Sequence, residues 1–203
     1  MPSVDLSRDT IDMSAVNATY EINEGTAPSR LLEVSGAVLH QALDLLESNL
    51  VSDEQLTAQS RFIPGSTIGK HLRHARDHFA LLLDSVSSAP PLILNYDIRL
   101  RNTPMESSRQ AAKEALGKVV ARLEKVVPQT KLELPITLHA VTPYPQVLET
   151  TFGRELWFAG LHAIHHWSMV RVIAGELGIK LEDSFGFAPS TLVYAAQNSK
   201  ALL

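Results

Sequence analysis

The run GRELWFAGLHAIHHWSMVRVIAGELG, residues 153–178, decides the fold. It is 26 residues long, it contains no proline, and its apolar positions recur at intervals of three and four, which is the period of one face of a helix. Gly178 is its stop signal. At ~100° per residue, Phe158, Ala159, Met169, Val170, Ile173 and Leu177 gather around the direction of His162, and His166 stands one turn further on. The wheel therefore turns His162 and His166 to the core, puts His165 near the edge of the stripe, and makes Arg171 the marker of the wet face. Two imidazoles at i, i+4 can reach one metal ion from a single helix.

Three more helices read outward from this one. Leu31, Leu32, Val34, Val38, Leu39, Ala42, Leu43, Leu45, Leu46 and Leu50 give a helix over about 29–50, opened by Pro28 and Ser29. Ser66 or Thr67 caps a second, which runs through Ile68, Leu72, Ala75, Phe79, Leu82 and Val86 to about Ser87. Thr103-Pro104 opens a third, with Ala112, Leu116, Val119 and Leu123 inside and Pro128 at its end. Residues 88–104 break every period and read as a long ordered loop or a short extended piece. Alternation from Leu132 to Leu138, the turn text Thr142-Pro143-Tyr144-Pro145 and the β-rich run Val147–Phe152 predict a β-hairpin over 131–152. The expected fold is mainly α, with a small hairpin before the last long helix. Residues 1–27 are expected to be an N-terminal extension and 28–203 a single helical domain ending in a short helical tail.

Composition narrows the function. Eighteen Lys and Arg against 22 Asp and Glu give a charge of −4, which offers no field for a nucleic acid. No apolar run is long enough to span a bilayer, and Met1–Tyr20 has no signal-peptide pattern, so a cytoplasmic protein without membrane contact is expected. The chain has no cysteine, which leaves only His and carboxylate ligands for a metal. Of the eight histidines, His71, His74 and His78 share one flank of the second helix, and any of them could supply a third ligand. Periodicity does not choose among them and leans toward His71 and His78. His40 and His139 read as structural. No carboxylate stands three residues before a histidine, and HExxH, GxSxG, P-loop and GxGxxG patterns are absent, so di-iron, hydrolase, kinase and dinucleotide motifs find no match. Asp77, Glu149 and Glu155 could orient imidazoles.

The run from Thr67 to His78, TIGKHLRHARDH, together with His162-Ala163-Ile164-His165-His166 and Glu176-Leu177-Gly178-Ile179, resembles the DinB-like (YfiT/DinB) family of metal-dependent proteins. The resemblance covers about residues 29–180, and Phe185–Thr191 resembles the ending of one subgroup. It implies an up-down-down-up four-helix bundle holding a divalent zinc, nickel or iron ion on three histidines, one from the second helix and two from a later HxxxH. In the family the second-helix ligand stands six residues after the apolar member of a Ser/Thr-apolar pair and is often followed by HxxD. Thr67-Ile68 then gives His74, with Asp77 completing the pattern, so the resemblance implies His74, His162 and His166 as ligands. His71, His78, Asp77 and His165 are left as supporting groups or alternative ligands. Many relatives follow the last ligand with Arg-Gly-Gln; here Trp167 and Ser168 stand there.

The resemblance implies an enzyme acting on a small molecule, by S-transfer from a low-molecular-weight thiol or by hydrolase-like chemistry, with metal-bound water or thiolate as the reacting group. The alternative is a non-catalytic, stress-associated protein whose ion is structural. A homodimer is compatible with either. The pocket is expected beside the hairpin, the 185–191 segment or both, with Tyr144, Trp157, Phe158 or Phe187 as apolar wall and Arg101 or Arg154 as an anion contact, while Asn95, Tyr96, Asp97, Arg99 and Arg101 of the 88–104 loop offer polar groups to an acidic substrate.

Overall fold

A computed structural model describes residues 26–191 and Tyr194. Most of the expected N-terminal extension and of the helical tail to Leu203 lies outside these residues; 189–191 and Tyr194 are helical. The protein is mainly helical with a small three-stranded sheet. Four long helices dominate: α1 (Ala27–Asp44), α2 (Ile68–Val86), α3 (Arg109–Val126) and α4 (Phe152–Glu176). The strands are β1 (Ile93–Leu94), β2 (Pro135–Val141) and β3 (Pro145–Thr151). α4 packs on α1 and α2, and α3 packs on the same two helices from the other side. Leu39, Ala42, Leu72, Phe79, Leu82, Leu116, Leu156 and Trp167 fill the space between them and are all fully buried.

Local chemistry sets the boundaries. The hydroxyls of Thr67, Ser108 and Thr151 accept the N–H groups of Lys70, Ala111 and Arg154, capping α2, α3 and α4. The predicted third helix began too early. Pro104–Glu106 forms a separate 3-10 turn, because the Glu106 carboxylate turns back to accept the Thr103 N–H at 3.1 Å and pairs with Arg73 at 2.9 Å. The predicted first helix also loses its regular form after Asp44. Residues Leu45–Asn49 make a wider π turn, in which the Leu50 N–H reaches the Leu45 carbonyl, and Leu45, Leu46 and Leu50 are all brought into the core.

The hairpin pairs Pro135 with Thr151 through Val141 with Pro145, antiparallel. Its base grips α4, since the Phe152 and Gly153 N–H groups donate to the carbonyls of Leu134 and Leu132. β1 adds a parallel strand to β2, pairing Ile93 with Thr137 and Leu94 with Leu138, and so fastens part of the 88–104 loop beside the start of α4.

Gly69, in the first turn of α2, has the Glu106 backbone so close that a Cβ would collide with it. Gly69→Ala must push the 104–106 turn away and strain the Arg73–Glu106 pair. We expect a loss of about 1–3 kcal/mol, read as a lower urea midpoint at unchanged slope. An unchanged midpoint would show that the turn yields freely.

Candidate functional site

α2 and α4 run antiparallel, so that His78 meets His162 with ring centroids 3.9 Å apart and His71 meets His166 at 5.0 Å. Between these two pairs His74 stands against both α4 histidines, 5.1 Å from His162 and 4.6 Å from His166. One ring nitrogen from each of His74, His162 and His166 lies within 4.8 Å of the others, a grouping that could hold a metal ion. The other candidates are arranged around it. His166 Nδ1 lies 2.8 Å from His71 Nδ1, and His166 Nε2 lies 3.1 Å from His162 Nε2. His78 is buried and uses Nδ1 on the His74 carbonyl at 3.0 Å. His165 is exposed, with its ring 5.3 Å from that of His166.

The two α4 histidines do not face the centre of the core, as the wheel had them. The fully buried residues of α4 include Leu156, Ala159, Ala163, Trp167, Val170 and Ala174, whose mean direction lies ~100° from His162. His162 and His166 sit on the flank toward α2, partly buried. Arg171 is not on a wet face either: its guanidinium donates to the carbonyls of Glu182, Asp183 and Phe185 and holds the 182–185 segment against α4.

Burial, reinforced by neighbouring imidazoles at His71, His74, His162 and His166, disfavours the charged form of these rings. Desolvation comes first in every case, holding His166 down to about 2, His74 to about 3, and His162 and His71 to about 4, while His78 is also lowered. A neutral imidazole has a lone pair to offer a metal at pH 7 without first losing a proton. The donor set therefore fits a divalent ion. The sign for stability follows. His71, His74, His162 and His166 take up protons near pH 6.5 when unfolded but only at much lower pH when folded, so their contribution is complete above about pH 6.5 and falls as the pH drops toward 4. Metal-free protein is expected to melt at a lower temperature at pH 5 than at pH 7, and an equal or higher melting temperature at pH 5 would contradict this burial.

A second polar group borders the cluster. Glu155 is 0% exposed and accepts hydrogen bonds from the Tyr96 hydroxyl at 2.9 Å, the Thr150 hydroxyl at 2.7 Å and the Arg154 guanidinium at 2.8 Å. Burial pushes the Tyr96 phenol far up, so it remains a donor. The Tyr96 ring stacks on His78 at 4.5 Å, and Phe158 stacks on His162 at 5.5 Å with the Arg154 guanidinium 5.0 Å above it. The charge of Arg99 is felt at His74, His78 and His162.

The remaining predicted residues fall elsewhere. Asp77 pairs with Arg73 and Arg76 rather than with a histidine. Trp157 lines an apolar groove with Leu31 and Val34 of α1. Tyr144 is exposed at the hairpin tip, Phe187 lies under the Arg171 guanidinium, and Arg101 is exposed. Tyr96 stands in the polar run of the 88–104 loop that the sequence offers to an acidic substrate, but nothing in the sequence places it against Glu155 and His78. Glu155 did give one, because seven residues before His162 is two turns back on nearly the same face.

A sequence model of the DinB superfamily matches residues 31–170. The chain is also similar to a protein of Rhizopus delemar named FK506-binding protein 5, with 34% identity over 195 residues covering 89% of this chain. It spans 45% of that protein's length.

Proposed function

Because this chain belongs to the DinB superfamily, we propose that residues 28–203 form one cytoplasmic, metal-dependent enzyme domain acting on a small molecule, with His74, His162 and His166 as ligands. The observation that carries the proposal is the convergence of three neutral imidazoles from two antiparallel helices. The bundle in this reading is up-down-down-up. In support, α4 lies antiparallel to α2 through the histidine pairs and parallel to α1, where Leu31 and Val34 meet Leu156 and Trp157 while Val38 meets Trp167. The Asp84–Arg122 pair joins the late turns of α2 and α3, and Glu47–Lys113 joins the end of the first helical segment to the start of α3. Among the described residues no helix is long and apolar enough to cross a membrane.

A zinc, nickel or iron ion on three imidazoles would supply Lewis acidity and open coordination positions. The chain's own groups do the rest. Tyr96, His78 and Phe158 wall one side of the cluster and exclude water there, Tyr96 is held as a proton donor by Glu155, and Arg99 and Arg154 bring positive charge suited to an acidic substrate. Thiol S-transfer and hydrolysis both fit such a site.

A structural ion clamping α2 to α4 is the second reading, favoured by the ligands' division between those two helices. Cobalt substitution decides between them. An enzyme site is expected to change its visible spectrum on addition of azide or a small thiol, whereas an unchanged spectrum selects the structural ion.

A further inference from the structure

We propose that His71 is a positioning residue for this cluster: its Nδ1 accepts the Nδ1–H of His166 and holds that ring with Nε2 turned toward His162. The inference rests on the metal reading above and concerns how the ligand is oriented. A neutral imidazole carries one N–H, and a nitrogen that gives its lone pair to an ion cannot carry it. His166 Nε2 is the nitrogen on the cluster side, 3.1 Å from His162 Nε2. As a ligand through Nε2, His166 must keep its proton on Nδ1. That proton meets His71 Nδ1 at 2.8 Å.

The same count fixes the tautomer of His71. Its Nδ1 has to be a lone pair, so the proton sits on Nε2, which is buried and has no hydrogen-bond partner among the described residues. His71 cannot turn its Nδ1 to the ion without releasing His166, so the ligand and positioning roles are mutually exclusive. His71 precedes His74 by three residues on α2. One face of one helix then supplies a ligand and also orients a ligand on the opposite helix, an arrangement that raises the basicity of His166 and fixes its direction.

Zinc affinity, measured by chelator competition, tests this without reference to turnover. His71→Leu removes the acceptor, and His71→Asn keeps one near the position of Nδ1. We expect His71→Leu to bind zinc about 10–100-fold more weakly, and His71→Asn to stay within a few-fold of wild type. Equal affinity in wild type and His71→Leu overturns the inference alone, as does an equal loss in both variants, which would mean that the ring acts by its bulk. Wild type that binds no zinc overturns the metal reading itself. Should His71→Leu fail to fold, nitrogen-15 imidazole spectra of the zinc-loaded wild type give the answer: protons on His166 Nδ1 and His71 Nε2 support the proposal, and a proton on His71 Nδ1 overturns it.

Discussion

His162→Ala is expected to lose zinc affinity by more than about 100-fold, a larger effect than loss of a supporting group produces. The variant deletes one of three nitrogens held within 4.8 Å of one another, and the two that remain cannot enclose an ion as tightly. Stability separates this from an ordinary packing defect. At a free zinc concentration 100 times the wild-type dissociation constant, wild type gains about 2.7 kcal/mol and the variant at most about 0.4 kcal/mol. The gap between them should therefore shrink by about 2.3–2.7 kcal/mol when chelator is added to both. A gap that is the same with and without chelator would mean that His162 only packs against His78 and Phe158.

Trp167→Ala should be the most destabilising single change near the site, at about 3–5 kcal/mol. Trp167 directly follows His166, yet its ring points to the other side of α4, where it is 0% exposed and packs near Phe185. Its Nε1–H donates to the Val38 carbonyl at 2.8 Å, which pins α1 to α4. Alanine leaves a cavity and removes that link, although the Val38 carbonyl, inside α1, keeps its own helical N–H. Trp167→Phe keeps most of the bulk and should cost about 0.5–1.5 kcal/mol for the lost hydrogen bond. Urea unfolding reads both, and a loss below about 1 kcal/mol in the alanine variant would show that α1 is held elsewhere. Trp167, which follows the last histidine here, thus serves to join helices.

Much of this was legible in advance where a repeating pattern or a capping residue marked it. Thr67 and the i, i+4 apolar series set α2, and alternation from Leu132 onward set the hairpin. β1 was legible only as the short extended piece offered for 88–104; its place and pairing were not, since two residues have no period and its partner lies more than 40 positions away. The direction of the α4 core was misread for a physical reason. Helices approach closely through small residues, so Ala159, Gly160, Ala163 and Ala174 are buried, while bulkier Phe158, Met169 and Leu177 keep some exposure. Hydrophobic size pulls the wheel toward the second group. The choice among His71, His74 and His78 could not come from periodicity either, because all three share a flank and their roles differ only by which ring across the interface each one meets.

Every principal interface between long helices joins the first half of the chain to the second: α1 and α2 each lie against α3 and α4. During synthesis, then, α1 and α2 emerge with their apolar faces uncovered and no nearby helix to take them. His74 precedes His162 by 88 positions, which at ~5–20 residues per second means a wait on the order of 5 to 20 s on the ribosome. Nascent chains arrested before α4 should therefore be protease-sensitive and bound by chaperones, and resistance should appear in one step once α4 has cleared the exit tunnel.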